Sequence, residues 1–439
     1  MPNAPENLPL FDPAEIPKRD APQQSGRPRI REPERRQGEI VFAIPEDALP
    51  ATHPARVIWT VLGTVSLALF TKGCEAVEGG AGRPMLSPRM LLTLWIYAIS
   101  EGVGSAREIA RLTRTQLEYR WIVGDLAVSH DKLAQFRVGN GEALNQLMTD
   151  ILASLMEKGL VSLKLVAQDG TRTRAAATAP SFRTYGSLLQ CREQAALHLK
   201  AVLAAAESDD PEYSAAQHMA RIAAARDFQR RVEAAVATVL ELQEKRKPSD
   251  GPARASTTDA EARVMKMGDG GFRPAFNVQY AVAGSEMGGP RTIVGVTVTN
   301  VGSDMGSLSP MAEQIKQRTG RYPEAVLADA NHVSHQDIQA MHEKGIPVIA
   351  APPENAKPVE RLRAENAQPG VIAWRERMET EEAKKLYRAR ASLVELTNAH
   401  QKDHHDLGQV LVRGLKKVTS VVLLHVLASN ILLNARQLL

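Results

Sequence analysis

Two apolar runs in this chain end in an aspartate, and this feature constrains the fold more than any other. The first run covers residues 163–169 and is followed at once by Gly-Thr-Arg-Thr-Arg, and the second covers residues 325–329. Read as strands, the runs place Asp169 and Asp329 at their carboxyl ends, where the ligands of open α/β sheets collect. An Asp-Gly pair is also a common turn signal, and taken alone Asp169-Gly170 favours a turn.

The bulk composition sets wide limits on function. The 439 residues allow two or three domains, and a formal charge of +4 with a pI near 9.0 fits a polyanionic partner without requiring one. Cys74 and Cys191 are the only cysteines, which argues against a zinc ribbon or a disulfide framework and favours a reducing cytosol. We expect no secretory signal, and residues 418–433 predict a buried helix rather than a membrane span because polar side chains interrupt them.

The first 160 residues divide into a tail and a helical region. Residues 1–50 are rich in proline, arginine and glutamate without a sustained period, so we expect a disordered tail whose arginines either contact DNA or stay solvated. Residues 51–160 predict a helical DNA-binding domain, with a capping-box pattern at Ser105 and Glu108. Lys132 and Arg137 lie on its short helices and are candidates for DNA contacts in a helix-turn-helix-like unit, although small helical domains often carry such charges.

The order of elements after residue 160 predicts an α/β fold. The strand ending at Asp169 is followed by a helical stretch at about 187–247, which we interpret as an insertion. Residues 275–283 and 292–300 predict a hairpin, and then come a helix, the strand ending at Asp329, a helix, a strand at 346–350 and a helix at about 372–402. This is the order of an RNase H-like catalytic core with a helical insertion after its first strand, preceded here by an N-terminal all-helical domain.

The last of these helices carries a third carboxylate, Glu395. At about 100° per residue, Glu395 lies on the side opposite an apolar stripe and in line with Arg388 and Lys402. The stripe consists of Leu386, Ala389, Leu393 and Leu396. The helix alone fits either a solvated charged face or a site for a metal or a phosphate. Three carboxylates, two at strand ends and one on a helix, can hold two hard divalent cations and support displacement at phosphorus.

Four stretches resemble the successive conserved blocks of bacterial insertion-sequence DDE transposases. They read VAQDGTRTRAAA, GFRPAFNVQYAV, VLADANHVSHQDI and YRARASLVELTNAHQK. In the last block, Tyr387 and Arg390 fit the Tyr-x2-Arg part of the signature of one branch, and Glu395 and Lys402 fit its Glu-x6-Lys part. HPARVIWTVLG and residues 82–112 resemble the N-terminal helical domain of the family, so that the resemblance covers most of residues 50–435.

The resemblance implies a site, a cofactor and partners. The implied metal-binding triad is Asp169, Asp329 and Glu395, which would bind two Mg²⁺ or Mn²⁺ ions. The residues implied to contact transposon-end DNA are Tyr387, Arg390 and Lys402. The implied protein is a transposase of the bacterial cytoplasm that binds double-stranded DNA at terminal inverted repeats and at the target. It would act as a homo-oligomer on DNA, cut and join strands, and have no membrane partner.

Several positions leave alternatives open. After the second aspartate the family commonly has glycine and an aromatic residue, whereas this chain reads Ala330-Asn331-His332, so an inactive DNA-binding remnant is one alternative and a nuclease that does not join strands is another. Asp259 and Asp304 are rivals for the place of Asp329. The remaining open positions are Arg172 and Arg174, which either clamp a phosphate or form internal ion pairs, and the pairs His332/His335 and His400/His404, whose spacing fits zinc but lacks a third ligand.

Overall fold

Helices form the first part of the fold. The computed structural model describes residues 44–72, 74, 84–124, 126–207, 213–247, 249, 251–284 and 291–438. The predicted tail lies outside these residues up to residue 43, and a 3₁₀ turn at Pro45–Ala48 follows it. The helices are α1 (Pro54–Gly63), α2 (Pro88–Ser100), α3 (Ala106–Thr115), α4 (Leu117–Val123), α5 (His130–Gly139) and α6 (Gly141–Glu157).

Serine hydroxyls cap the starts of three of these helices. Ser87 accepts the backbone N–H of Met90 at the start of α2, and Ser129 caps α5 in the same way. Ser105 accepts the backbone N–H of Glu108 at 3.4 Å, but the Glu108 carboxylate bonds Arg111 instead of reaching back to Ser105. Only half of the predicted capping box therefore forms, because a guanidinium three residues ahead offers Glu108 a charged partner.

The first strand is longer than expected. β1 (Val166–Arg174) continues through Asp169-Gly170, because every residue of it pairs with a residue of β5 (Phe272–Ala283). Gly170 is needed there, since a Cβ atom at this position would collide with the side chains of Gln279 and Asp304. The turn that Asp169-Gly170 favours when taken alone does not form.

Two long helices occupy the stretch for which the sequence predicts an insertion. They are α7 (Tyr185–Glu207) and α8 (Ala215–Lys245), and they pack against each other. Ser214 and Gln217 form a complete capping box at the start of α8. At the base of the pair, β2 (Phe182–Arg183) and β3 (Ala255–Ser256) form a small antiparallel sheet.

The main sheet has six strands in the described part of the chain. Besides β1 and β5 it contains β4 (Arg263–Lys266), β6 (Thr292–Thr299), β7 (Val326–Ala328) and β8 (Val348–Ile349). β5 is antiparallel to β1, β4 and β6, while β1, β7 and β8 run parallel in that order. The result is a mixed α/β fold, in which the long strand β5 joins an antiparallel half to a parallel half.

The helix predicted at 372–402 is broken twice. In its place the structure has α12 (Pro369–Glu379), α13 (Glu381–Arg390), a π-helical turn (Ala391–Glu395) and α14 (Leu396–Asp403). The first break follows from Thr380, which is extended and caps α13 by accepting the N–H of Ala383. The remaining helices are α9 (Leu308–Thr319), α10 (His335–Glu343), α11 (Val359–Ala364), α15 (Leu415–Leu433) and α16 (Ala435–Leu438).

One apolar helix, α15, lies at the centre of the core. It packs against α2, α5 and α6 on the helical side and against β6 on the sheet side. By length and composition alone α15 could cross a membrane, but most of it is buried inside the protein. The helices of residues 51–160 and the sheet share one hydrophobic core and belong to the same compact unit.

The free edge of β6 is closed by two side-chain amides. Asn430 of α15 accepts from the N–H of Ile293 at 2.9 Å and donates to its carbonyl at 2.8 Å. Gln314 of α9 does the same for Val296, at 2.8 and 3.0 Å. Each amide thus takes the place of a neighbouring strand, which satisfies an edge that would otherwise present unpaired groups.

Candidate active site

The two aspartates of the predicted triad occupy matching positions on neighbouring parallel strands. β1 and β7 pair through Gln168 and Ala328, and the next residue on each strand is Asp169 or Asp329. The Asp169 side chain is one-fifth exposed, and burial raises the pKa of its carboxyl group, against the opposing effect of His332 and Arg390 nearby. Burial disfavours the charged form of this carboxyl group, so a cation beside it would stabilise the carboxylate.

Arg390 connects Asp169 to the third predicted member, Glu395. Its Nη2 atom donates to Glu395 Oε1 at 2.7 Å, and its Nη1 atom lies 4.0 Å from Asp169 Oδ2. Residues five apart lie about 140° apart around an α-helix, but the i→i+5 hydrogen bonds of a π-helix bring them together. The π turn is therefore what places Arg390 and Glu395 on one side.

The same turn overturns part of the predicted apolar stripe. Leu393 is buried, whereas Leu396 is 50% exposed, because the wider turn shifts the phase of every residue after it. Gly284 at the end of β5 has no side chain where Leu393 packs, and a Cβ atom there would collide with it. The Glu395 side chain is 53% exposed and faces Arg390.

Two asparagines that the sequence did not single out as ligand partners bond the aspartates. Asn398 donates to Asp169 Oδ2 at 3.1 Å, and Asn331 donates to Asp329 Oδ2 at 2.9 Å. Asn331 belongs to the stretch Ala330-Asn331-His332, where the family that the chain resembles commonly has glycine and an aromatic residue, and it adds a donor to the second aspartate. Asn398 follows Glu395 by three residues, and helical spacing could have identified it as a neighbour on the same face.

The predicted DNA contacts near the triad differ in their surroundings. Lys402 lies close enough to Asp169 and Arg172 for their charges to act on it, and burial lowers the pKa of its ammonium group. Tyr387 is half-buried, with the Arg390 guanidinium 5.9 Å from the centre of its ring. Arg174 is exposed and donates to Gln409.

Arg172 forms the internal ion pair that the sequence left open. It bonds Asp304 at 3.1 Å and donates to the Gly302 carbonyl at 2.6 Å. Asp304 also accepts from Asn277 and Gln279. With these partners Asp304 is held on the face of β1 opposite Asp169, so it supports the sheet rather than replacing Asp329.

His332 is a buried polar residue beside the triad. It is 1% exposed, and its Nε2 atom lies 3.1 Å from Gln279 Oε1. Because the Gln279 amide nitrogen is already donating to Asp304, Gln279 offers an acceptor here and His332 Nε2 must carry the hydrogen. Nδ1 has no partner, and burial lowers the pKa of the ring despite the nearby aspartates.

The two residues of the helical region that were predicted to contact DNA differ in their exposure to solvent. Lys132 is exposed in the first turn of α5. Arg137 is only 8% exposed, lies 4.7 Å from the centre of the Trp95 ring and donates to the Gly104 carbonyl at 2.8 Å. Its assignment to a DNA surface is at odds with this placement, since the guanidinium fills an interior position between α2 and α5.

The other rival residues hold structural positions. Asp259 is buried and accepts the N–H groups of Glu261 and Gly414, which fixes the start of α15. The rings of His400 and His404 lie 5.0 Å apart. Neither they nor His332 and His335 belong to a group of three metal-binding side chains within the described residues.

The donors of the triad fit a hard divalent cation by their chemistry. All three are carboxylates, which such ions prefer, and a guanidinium already lies between Asp169 and Glu395 as a positive charge. Within the described residues no three carboxylate, imidazole or thiolate groups converge on one point, and Glu395 is paired with Arg390 instead. Holding ions would therefore require Glu395 to leave Arg390.

Two segments of the chain match known protein families. Residues 44–138 match a model described as "Transposase domain (DUF772)", and residues 356–433 match one described as "Transposase DDE domain". The second segment contains Glu395 and the signature residues around it, whereas Asp169 and Asp329 lie outside both matches. No significant match was found among curated proteins or among solved structures. The two matches support a transposase of the DDE type.

Proposed function

We propose that this chain is a DNA transposase that binds the terminal inverted repeats of its own element and catalyses metal-dependent strand cleavage and strand transfer. The observation that carries the proposal is the bridge from Asp169 through Arg390 to Glu395, with Asp329 at the matching position of the next strand. Glu395 and Arg390 lie inside the segment that matches a transposase DDE domain.

The sheet supports an RNase H-like core as part of this proposal. Along the path β6-β5-β1-β7-β8 the first three strands are antiparallel and the last three parallel. In this order Asp169 lies in the first strand of the parallel half, next to β5, and Asp329 directly follows the second strand. The insertion α7–α8 lies between β1 and β5 along the chain. Ligands commonly bind where strand order reverses in an open sheet.

Asp169, Asp329 and Glu395 would hold the divalent ions, Mg²⁺ or Mn²⁺. When bound at such carboxylates, two ions activate an attacking oxygen and stabilise a leaving oxygen at phosphorus. The chain's own residues fix the donors: Asn398 and Asn331 each orient one aspartate by a hydrogen bond. With Glu395 among the residues that would hold an ion, Arg390 would be free to bind a phosphate by its planar fork.

Cations around the triad and on the helical region would bind the DNA backbone. Lys402 and Arg390 lie beside Asp169, and the exposed Arg174 lies at the end of β1. In the segment matched by the other transposase model, Lys132 and the exposed arginines of α3 present positive charge to solvent. Such contacts release counterions, so binding should weaken steeply with salt. We propose that the protein acts in the bacterial cytoplasm as a homo-oligomer on DNA ends.

Replacement of Glu395 by glutamine tests the proposal. We expect Glu395→Gln to lose metal-dependent nicking of DNA that carries the sequences flanking the gene, while DNA binding stays close to that of the wild type. The amide keeps the size of the side chain but loses the charge that a divalent ion needs, and the half-exposed position should leave folding unaffected. A gel-shift assay and a nicking assay in Mg²⁺ measure the two effects.

The matched control is Glu382→Gln, an exposed glutamate in the first turn of α13. Nicking by Glu395→Gln at the wild-type rate would remove Glu395 from the triad. A wild-type protein that binds these ends without nicking them would indicate an inactive remnant. Nicking without joined products would indicate a nuclease.

A further inference from the structure

The β4–β5 ribbon, residues 263–275, extends the sheet beyond the candidate site. Within it β4 pairs only with the first residues of β5, from Arg263 opposite Ala275 to Lys266 opposite Phe272. A tight turn closes the tip, where Gly270 has a φ of +83° and Asp269 accepts the N–H of Gly271. The ribbon lies outside both segments that match transposase families.

One face of this ribbon is covered and the other is open. On the covered face Met265 is buried, and Gly302 of the loop after β6 lies against it. On the open face Phe272 is 69% exposed and Val264 is 50% exposed. Phe272 and Val264 thus expose apolar surface on the same face of the ribbon.

Charge on the open face favours a polyanion. Lys266 lies directly opposite Phe272, is exposed, and pairs with no carboxylate in the described part of the chain. The whole ribbon carries three cations, Arg263, Lys266 and Arg273, and one acid, Asp269, which is bound to Arg273; Arg263 and Arg273 lie on the covered face, so Lys266 supplies the charge of the open face. A second protein would need an acidic, apolar patch to match this face, whereas duplex DNA offers phosphates beside a groove.

The ribbon is also placed to meet DNA that enters the site. Residues directly opposite on antiparallel strands share a face, so Tyr280 lies on the face of Asp169, and Phe272 lies on that face eight residues earlier. The residues of this face between them are buried, so it becomes exposed again only at the ribbon. At about 3.3 Å per residue Phe272 lies about 26 Å from the aspartate, which is about eight base-pair steps along a duplex. Two-stranded ribbons fit DNA grooves, and apolar wedges beside cations are a known way of holding the minor groove.

We propose that the open face of the β4–β5 ribbon binds duplex DNA beside the candidate site, with Phe272 as an apolar wedge in the minor groove and Lys266 on the adjacent phosphate. The inference rests on the proposed function for its DNA partner. It adds a contact about eight base pairs from the cut, made by a sheet element rather than by the helical region.

The test uses the full chain without divalent metal and a fluorescein-labelled duplex made from the DNA that flanks the gene. We expect Phe272→Ser to weaken binding about tenfold in fluorescence anisotropy, as loss of one aromatic contact with bases does. Lys266→Ala should lower the slope of log affinity against log salt by about one. Leu197→Ser and Lys200→Ala on α7 are the matched controls, because Leu197 is 68% exposed and Lys200 is exposed as well.

A photo-crosslinking amino acid in place of Phe272 gives an independent reading. Crosslinks should gather about eight base pairs from the nick that the wild type makes in Mg²⁺. Wild-type affinity for Phe272→Ser, or an equal loss for Leu197→Ser, would overturn the inference while wild-type nicking leaves the proposed function intact. A changed oligomeric state at unchanged DNA affinity would assign the ribbon to a second copy and also overturn it. If the wild type neither binds nor nicks this DNA, both proposals fail.

Discussion

At the scale of single residues, Arg390 is the internal cation that interacts with two carboxylates of the candidate site. Its guanidinium bonds Glu395 and lies near Asp169, so one side chain balances two carboxylates from different elements. The Arg390 side chain is itself mostly buried, which strengthens its interaction with both. Any divalent ion that binds these carboxylates must therefore compete with an internal cation.

Removal of this competitor should strengthen metal binding. We expect Arg390→Met to bind Mn²⁺ about threefold to tenfold more tightly than the wild type in the absence of DNA, because the two carboxylates lose their internal counter-charge. Titration followed by electron paramagnetic resonance of free Mn²⁺ measures this directly. Arg388→Met, two residues earlier and exposed, is the control and should leave the affinity unchanged. Weaker Mn²⁺ binding by Arg390→Met would mean that the guanidinium helps to arrange the site.

The triad and its signature were named from the resemblance and stay predictions, and residue types and spacings did not reveal the partners of each residue. Burial of Arg137 and the ion pair of Arg172 with Asp304 depend on elements far away in the chain, so no local pattern reveals them. A charged side chain on a short helix looks the same in sequence whether it faces solvent or a tryptophan ring. Arg137 faces the ring of Trp95, and Lys132 faces solvent.

At the scale of elements, strands were easier to predict than the long helix at 372–402. The hairpin, the first part of β1 up to Asp169 and the strand before Asp329 follow from apolar runs bounded by glycine and polar residues, whereas the continuation of β1 to Arg174 does not. The predicted helix is interrupted at Thr380 and again at the π turn, Ala391–Glu395. A π turn leaves no composition signal, because its residues suit an α-helix equally well; packing of Leu393 against Gly284 and the Arg390–Glu395 pair accompany it here.

The amides that close the edge of β6 should carry measurable stability. We expect Gln314→Ala to lower the free energy of unfolding by about 1–3 kcal/mol, because the N–H and carbonyl of Val296 lose their partner in a largely buried position. Urea denaturation measures the change. Gln146→Ala is the control, since Gln146 is exposed on α6 and donates only to Asp150, and its effect should stay within about 0.5 kcal/mol. Equal effects of the two substitutions would show that the edge needs no cap.

At the scale of the whole molecule, two buried histidines couple the fold to pH. His425 on α15 has ring nitrogens 2.8 Å from the Val421 carbonyl and 3.0 Å from that of His405, yet burial outweighs these acceptors and lowers its pKa to about 4. Burial, together with neighbouring histidines, lowers the pKa of His405 to about 3. Burial thus favours the neutral form of both rings in the folded protein at neutral pH.

The protein should lose stability as the pH falls below about 6.5, the ordinary pKa of histidine. Under those conditions the unfolded chain takes up protons on His405 and His425, whereas the folded protein does not until the pH approaches 4 for His425 and 3 for His405. Each histidine then costs about 1.4 kcal/mol per pH unit. Urea denaturation at neutral pH and at mildly acidic pH should show this slope, and His425→Gln should make it shallower. The same slope in the variant and the wild type would exclude His425 as its source.

The central position of α15 has a mechanical consequence. The segment that matches one transposase model begins the chain's helical side, and the segment that matches the other ends with α15, so the two meet along one buried helix. If the proposed function holds, the helices that bind DNA and the carboxylates that cut it are joined through this shared core. The distance between the two would then be set by packing inside the protein rather than by a flexible linker. Bringing two DNA ends together would then depend on how whole molecules associate, not on one molecule folding over.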